Sequence, residues 1–374
     1  MAERKDIVTE TTRDVHQRPG QEGRAPRRLV LLALLALAGC TSVPPTRVTT
    51  DRMDYGEVVA ESWKRQTLLN VVRLRHADAP VFLEVASIIN SYTLGGTATA
   101  QAAISSRIDP NVFALGGTGS WSNTPTVTYQ PVIGDKFTKS MLHPIPPASI
   151  FQLLQGGWPA VLVFSTVVGS VNGLRGSFAD VPADPGFVEL IEILTRLQRG
   201  GDIGISVEPN KDKGAKDGGA VVAVIRRADA GTALEADGRR VRELLGLDSD
   251  VFTFEISYGL VARNRNEVAV MSRSMMDILL QLGFGIDLPA ASGARVLPDQ
   301  GPAGDLKARP LVHIRSGTEA PADAYAAVPY KGHWYWIDDA DIASKRIFTF
   351  LMILFSLAET GQSTAAPVVT VPSR

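Results

Sequence analysis

The residue whose chemistry reads most directly is Cys40, the one cysteine in a chain of 374 residues. Alone, it closes no intrachain disulfide and builds no thiolate metal cluster, so it is either a small packed side chain or a nucleophile. The histidines, His16, His76, His143, His313 and His333, share no spacing such as His-x3-His, so no metal site is expected. Nor is any cofactor implied. Gly169-Ser170-Val171-Asn172-Gly173 places its serine one position too early for a nucleophile elbow, and there is no Ser-x-x-Lys. The loop from Asn210 to Gly219 holds lysines and glycines but lacks the Gly-Lys-Ser/Thr ending of a phosphate-binding loop. Asp338, Asp339 and Asp341 have the grouping of an acid/base or metal-binding cluster, although capping a following helix explains them more simply. The densest aromatic stretch runs from Lys331 to Ile337. It presents Trp334 and Trp336 on one strand face and His333, Tyr335 and Ile337 on the other. Trp334, Tyr335 and Trp336 are therefore candidates for stacking on a sugar or a partner peptide, set against packing beneath a neighbouring apolar helix.

Charge excludes one class of partner. The 38 basic and 39 acidic residues leave a net charge of -1, so no overall field draws the chain towards nucleic acid. With 45% hydrophobic and 21% charged residues, the composition is that of a globular chain with a sizeable core.

Cys40 follows an apolar run, Leu29 to Gly39, with Arg24, Arg27 and Arg28 before it. That run is too short for a membrane-spanning helix of about 20 residues and has the length of a signal-peptide core. Leu37-Ala38-Gly39-Cys40 resembles the lipobox of bacterial lipoproteins. The resemblance implies cleavage after Gly39, a lipid on the Cys40 sulfur, and acylation, palmitate included, of the new amino terminus. Thr41, where lipoproteins kept in the inner membrane often carry aspartate, implies the periplasmic face of the outer membrane. Acyl chains worth about 0.8 kcal/mol per buried methylene would make such an anchor almost irreversible. The alternative, a structural cysteine behind an ordinary signal, has to place Cys40 in a core beside Val43-Pro44-Pro45. Glu3, Asp6, Glu10, Asp14 and Glu22 make the leading region long and acidic for such a signal, so translation is expected to start later. The expected organisation is a signal over 1–39, a Pro/Thr-rich tether over 40–52 and a body over 53–374, with 53–180 and 181–374 as an optional division.

The elements that must position these residues read as α+β. A helical pattern from about Tyr55 to Arg75 precedes Pro80 and a strand from Val81 to Ile89. Tyr92 to Ile104 then alternates small or apolar residues at even positions with polar ones at odd positions. From Val112 to Gln130 the odd positions carry Phe113, Leu115, Gly117, Gly119, Trp121, Val127 and Tyr129. Two period-2 runs joined at Asp109-Pro110-Asn111 predict a long antiparallel hairpin over about 92–130, with one apolar and one hydroxyl-rich face. Between Val85 and Ile133 the charges are Arg107 and Asp109 alone. Tyr92 and Trp121 near one end and Phe113 near the other, with Tyr129 beyond, mark this hairpin as a candidate assembly or membrane element. Its alanine and glycine content favours a protein cover over lipid.

Further helices are predicted over Asp135–Leu142, Ser149–Gln155, Pro185–Arg199, Arg239–Leu245 and Ser274–Leu282, with a last one, apolar nearly all round, running to Leu357. Strands are predicted over Pro159–Val168, Ile203–Glu208, Ala220–Arg227, Val251–Val261, Pro310–Ser316, Tyr325–Tyr330 and His333–Ile337.

Thr67-Leu-Leu-Asn-Val-Val-Arg-Leu-Arg75, Pro80-Val-Phe-Leu-Glu-Val85, Pro125-Thr-Val-Thr-Tyr129 and Tyr330-Lys-Gly-His-Trp-Tyr-Trp-Ile-Asp-Asp339 resemble stretches of a group of proteobacterial envelope lipoproteins. That likeness implies a location and brings no activity with it. Two readings of function follow. One is a non-enzymatic, lipid-anchored protein that binds or organises an unidentified envelope component, as a homo-oligomer or a channel subunit in its sharper form. The other is a periplasmic hydrolase of cell-wall or glycan material, with Asp338, Asp339, Glu84 and His333 as its candidate groups.

Overall fold

A computed structural model describes residues 45–103, 112–208, 220–225, 229, 231–289, 296–298 and 309–358. Mixed helices and strands give the α+β class expected from the sequence. The chain divides into two compact units, one holding Leu83–Pro131 with the residues up to Val59, the other holding Ala60–Phe82 and Val132 onwards. The division expected near residue 180 is not where the chain separates, because one sheet draws strands from both sides of it.

The first unit contains the N-terminal half of α1 (Pro45–Arg75) and the antiparallel pair β1 (Leu83–Ala103) and β2 (Val112–Pro131). Residues 45–52, expected as a tether, are helical. Proline at the first position of a helix lacks an amide that would be unpaired there anyway and has its φ preset, so Pro45 starts the helix where composition alone reads a linker.

The body is built around a six-stranded sheet in the order β4-β3-β8-β7-β6-β5. Its strands are β3 (Val168–Val171), β4 (Leu174–Arg175), β5 (Ile203–Glu208), β6 (Ala220–Ile225), β7 (Thr253–Tyr258) and β8 (Glu267–Ser272). All neighbours are antiparallel except β7 and β8. β8 was not expected from the sequence. It is a central strand buried on both faces, so it shows no alternation, and it opens on a charged residue. That residue, Glu267, is 1% exposed and accepts from the Arg263 backbone N–H (2.6 Å) and Nε (2.8 Å), which clasps the loop leading into the strand.

Helices α2 (Gly134–Phe137, continued by a π-helical turn over Thr138–Leu142), α3 (Pro147–Gln155), α4 (Ala160–Val167), α5 (Pro185–Gly200), α6 (Ala233–Leu245) and α7 (Met275–Gly283) contribute to this body. The run predicted as a strand over Pro159–Val168 is α4 for most of its length. A short, fully apolar run carries no period that separates strand from helix. Only Val161, 50% exposed, and the half-buried Ser165 four residues on mark an outward stripe. The helix α5 begins and ends as predicted, with Gly201 in the left-handed region at φ 70°. Asp184, however, gives α5 no side-chain cap and instead takes the Arg175 guanidinium at 3.1 and 3.3 Å. Thr232 caps α6 through the Glu235 N–H, and Ser274 and Asp277 form a capping box on α7.

The body also holds a three-stranded sheet, β10-β11-β9, formed by β9 (Arg315–Gly317), β10 (Ala324–Tyr330) and β11 (His333–Asp338). The expected turn at Lys331-Gly332 joins β10 to β11. The last helix, α8 (Ile342–Ala358), buries Ile347, Phe348, Phe350, Leu351, Leu354 and Phe355, as its apolar circumference predicts. Rings lock it in place, with Trp63 at 5.2 Å from Phe355, Trp158 at 5.1 Å from Phe350 and Tyr325 at 6.2 Å from Phe348.

Candidate functional site

Gly39 and Cys40, the expected cleavage and lipidation positions, lie outside the described residues, as does the expected hairpin tip at 109–111. What is described is the pairing of β1 and β2. Tyr92 stands opposite Asn123, Leu94 opposite Trp121, Gly96 opposite Gly119, Ala98 opposite Gly117, Ala100 opposite Leu115 and Ala102 opposite Phe113. Between them, Thr93 meets Ser122, Thr97 meets Thr118 and Thr99 meets Gly116. Residues directly opposite one another share a face of an antiparallel pair, so this register aligns the small and apolar positions of both strands on one side and the hydroxyls on the other. On the hydroxyl side Thr97 and Thr118 are exposed and bonded to each other, 2.5 Å apart, while Thr99 donates to the Gly116 carbonyl at 3.2 Å. Tyr129, near the start of the ribbon, is 56% exposed. Among the described residues this sheet has two strands.

The aromatic stretch on β11 divides as its alternation predicts. Tyr335 is only 1% exposed and Ile337 is fully buried, whereas Trp334 and Trp336 are half-buried. Tyr335 is therefore withdrawn as a partner-binding candidate, since its ring lies edge-on to His76 at 5.9 Å within the core. Trp334 pairs with Pro329 and Gly317, and Trp336 with Ala327 and Arg315. The Trp336 ring covers Gly317 so closely that a Cβ there would sit 3.2 Å from it.

Beside this strand is a polar cluster that the sequence did not single out. The left-handed turns at Ala77 (φ 56°) and Lys331 (φ 45°) bring the end of α1 to the β10–β11 turn. Asp78 accepts from Lys331 Nζ at 2.6 Å and from the Tyr330 hydroxyl. Those bonds, the lysine's first, hold the Asp78 carboxyl below the usual carboxylate range, and the Lys331 ammonium rises above its ordinary value in return. Burial first, and then the bond to Asp78, push the Tyr330 hydroxyl up. His76 donates from Nδ1 to the Val72 carbonyl at 2.9 Å, and its Nε2 lies 3.5 Å from the Tyr335 hydroxyl. A mixed acid, base and phenol of this kind supports proton transfer where a cleft delivers substrate. Here each group is turned onto a neighbour, and the cluster ties α1 to β10. The left-handed geometry of Ala77, next to Asp78, and of Lys331 itself was the signal, and sequence does not display it.

The remaining candidates are dispersed. Asp338 pairs with Arg315 at 3.1 Å and accepts from the Ala340 N–H, while Asp339 pairs with Lys345 at 2.6 Å. Asp341 caps α8 through the Ser344 N–H (3.0 Å) and hydroxyl (2.6 Å). Burial works to raise its pKa, yet these bonds to Ser344 prevail and lower it. His313 faces Asp287 at 2.8 Å, and His143 is exposed. Glu84 lies on β1, in a different unit from these acids and from His333. Among the described residues no three histidine, cysteine or acidic side chains are grouped to hold a metal.

Two further features lie inside the body. Arg273, whose guanidinium donates to the carbonyls of Ser165 (2.9 Å), Thr166 (3.0 Å) and Ser177, has its pKa lowered by burial to about 10. It clamps three chain segments. A cavity of about 90 Å³ lies between the six-stranded sheet and the helices, lined by Phe164, Leu190, Val241, Phe254 and Val270 among others, with glutamine amides as its polar side chains. Among the described residues no titratable group lines it. Comparison with protein-family models, with curated proteins and with solved structures returned no match, so function is read from these residues themselves.

Proposed function

We propose that this chain is a lipid-anchored envelope protein that binds or organises other envelope components without catalysing a reaction. The observation that carries the reading is Leu37-Ala38-Gly39-Cys40, behind an apolar run flanked by Arg24, Arg27 and Arg28, in a chain with one cysteine. The thiol is the group there able to carry a lipid, and Thr41 directs the anchored chain to the periplasmic face of the outer membrane. Support comes also from the acids on which a hydrolase would depend. Asp338, Asp339 and Asp341 are engaged with Arg315, Lys345 and Ser344 rather than with one another. Helix α8 packs in the body, and among the described residues no helix is long and apolar enough to cross a membrane.

Expression of the full chain in a bacterial host with labelled palmitate, followed by mass spectrometry of the mature amino terminus, tests this. The expected product begins at Cys40, carries acyl chains and sediments with the outer membrane, and Cys40→Ser loses the label entirely. A mature protein that retains residues before Cys40, or a Cys40→Ser variant that still incorporates palmitate, overturns the reading.

A further inference from the structure

We infer that the cavity inside the body is a binding site for the end of a linear aliphatic chain, the tail of an acyl-type amphiphile whose polar head stays in water. The inference stands apart from any lipid on Cys40, because every residue on which it rests belongs to the body. The lining sets the chemistry. Phe164 on α4, Leu190 on α5 and Val241 on α6 stand over Val171, Phe254 and Val270 of the six-stranded sheet, and all six are buried. The polar side chains are those of Gln155 and Gln198. Gln198 is committed to the backbone: its Oε1 accepts from the Ala160 N–H at 2.9 Å, and its Nε2 donates to the carbonyls of Leu154 at 3.0 Å and Trp158 at 2.8 Å. Those bonds tie α3 and α4 to α5. A water held inside a protein needs about two to four polar partners, which a wall of hydrocarbon and one committed amide does not offer. The space therefore takes hydrocarbon in preference to water.

Burial shows the way in. The strands that contribute to the lining, β3, β8, β7, β6 and β5, are successive neighbours in the sheet. Val171 on β3 is 2% exposed and Val270 on β8 is 1% exposed, whereas Ala223 on β6 and Ile203 on β5 are half-buried. Gln155, which ends α3, is exposed. The cavity thus runs from the interior of the sheet towards its β5 edge and opens beside the end of α3. A chain enters there tail first, and its head remains at the rim beside Gln155.

Volume sets the shape of the occupant. An apolar cavity of about 150 Å³ takes up benzene. A volume of about 90 Å³ is too tight for a six-membered ring and has room for about three or four carbons of an unbranched chain. Spread along five neighbouring strands, so small a volume is narrow as well as long, which suits a linear tail.

Full-length Cys40→Ser protein with isotope-labelled methyl groups, titrated by NMR with linear alkanoates from butanoate to decanoate, tests the inference. The methyl signals of Leu190, Val241 and Val270 should shift. The dissociation constant should fall about fourfold with each methylene admitted, and level off once about four carbons are buried. Cyclohexanecarboxylate should bind at least about tenfold more weakly than heptanoate, which has as many carbons. Ala223→Leu, which fills the cavity near its opening, should weaken binding at least about tenfold and leave the thermal transition at or above its original temperature. Should that variant not fold, Val241→Ile narrows the same space by one methylene and should weaken binding about fourfold. Phosphatidylethanolamine vesicles identify the source of the chain. Shifts with vesicles as well as alkanoates support the site and assign it a phospholipid tail, and shifts with alkanoates alone support it and assign a free amphiphile. Methyl signals that move with no alkanoate, a ring that binds as tightly as the linear acid, or undiminished binding in the folded variants overturns the inference.

Discussion

At the scale of single residues, Glu267 shows how a buried charge is held. It is almost wholly removed from water at the start of a central strand, and burial alone would raise its pKa. Hydrogen bonds from Ser257 and from the amide and guanidinium of Arg263 reverse this and lower it. A depressed folded-state pKa contributes stability above the unfolded carboxyl range, near about 4.3, which is lost as pH falls through the folded value. Glu267→Gln should therefore destabilise the protein at neutral pH by about 1–3 kcal/mol, because the amide group of glutamine turns a donor towards donors. It should also flatten the acid side of the stability profile. Thermal melts of both proteins between pH 3 and 7 measure this, and parallel profiles would refute it. Gly285 offers a steric counterpart. A Cβ there would collide with the Val312 carbonyl, and the Gly285 carbonyl accepts from Ile314 at 2.9 Å, so the backbone has nowhere to retreat.

At the scale of elements, burial decides which changes matter. Phe348 and Leu351 on α8 are fully buried, whereas Ile342 at its start is 61% exposed. Truncating Leu351 to alanine should cost about 2–5 kcal/mol through lost transfer energy and an unfilled cavity, while Ile342→Ala should stay within about 0.5 kcal/mol. Chemical denaturation separates the two. Elements with strong punctuation were legible in the sequence: α5 between Pro185 and Gly201, the β10–β11 turn at Lys331-Gly332, and the 2-residue period of β1 and β2. The elements misread lack such signals. α4 is apolar almost throughout, β8 is covered on both faces, and α6 runs through Gly238, which is buried inside it. Of the candidate site, the division of Trp334 and Trp336 from Tyr335 followed from alternation. The Asp78–Lys331 pair joins residues 253 apart in the chain, and no local pattern announces it.

At the scale of the whole molecule, the two units differ in what holds them. The body carries a continuous apolar core that reaches from α1 through the six-stranded sheet to α8. The paired strands β1 and β2 belong to the other unit, where among the described residues their sheet has two strands. A two-stranded ribbon is marginally stable in water, where its hydrogen bonds are more open to solvent than those of a larger sheet. Cys40→Ser protein kept as a monomer in water should therefore exchange the amides of Tyr92–Ala102 and Phe113–Asn123 much faster than those of β7 and β8. The body sheet supplies the internal reference in the same sample. Hydrogen exchange read by mass spectrometry decides the matter. Ribbon amides as slow in water as those of β8 would refute this, and would mean that other parts of the chain cover the two strands as closely as the body covers its central sheet.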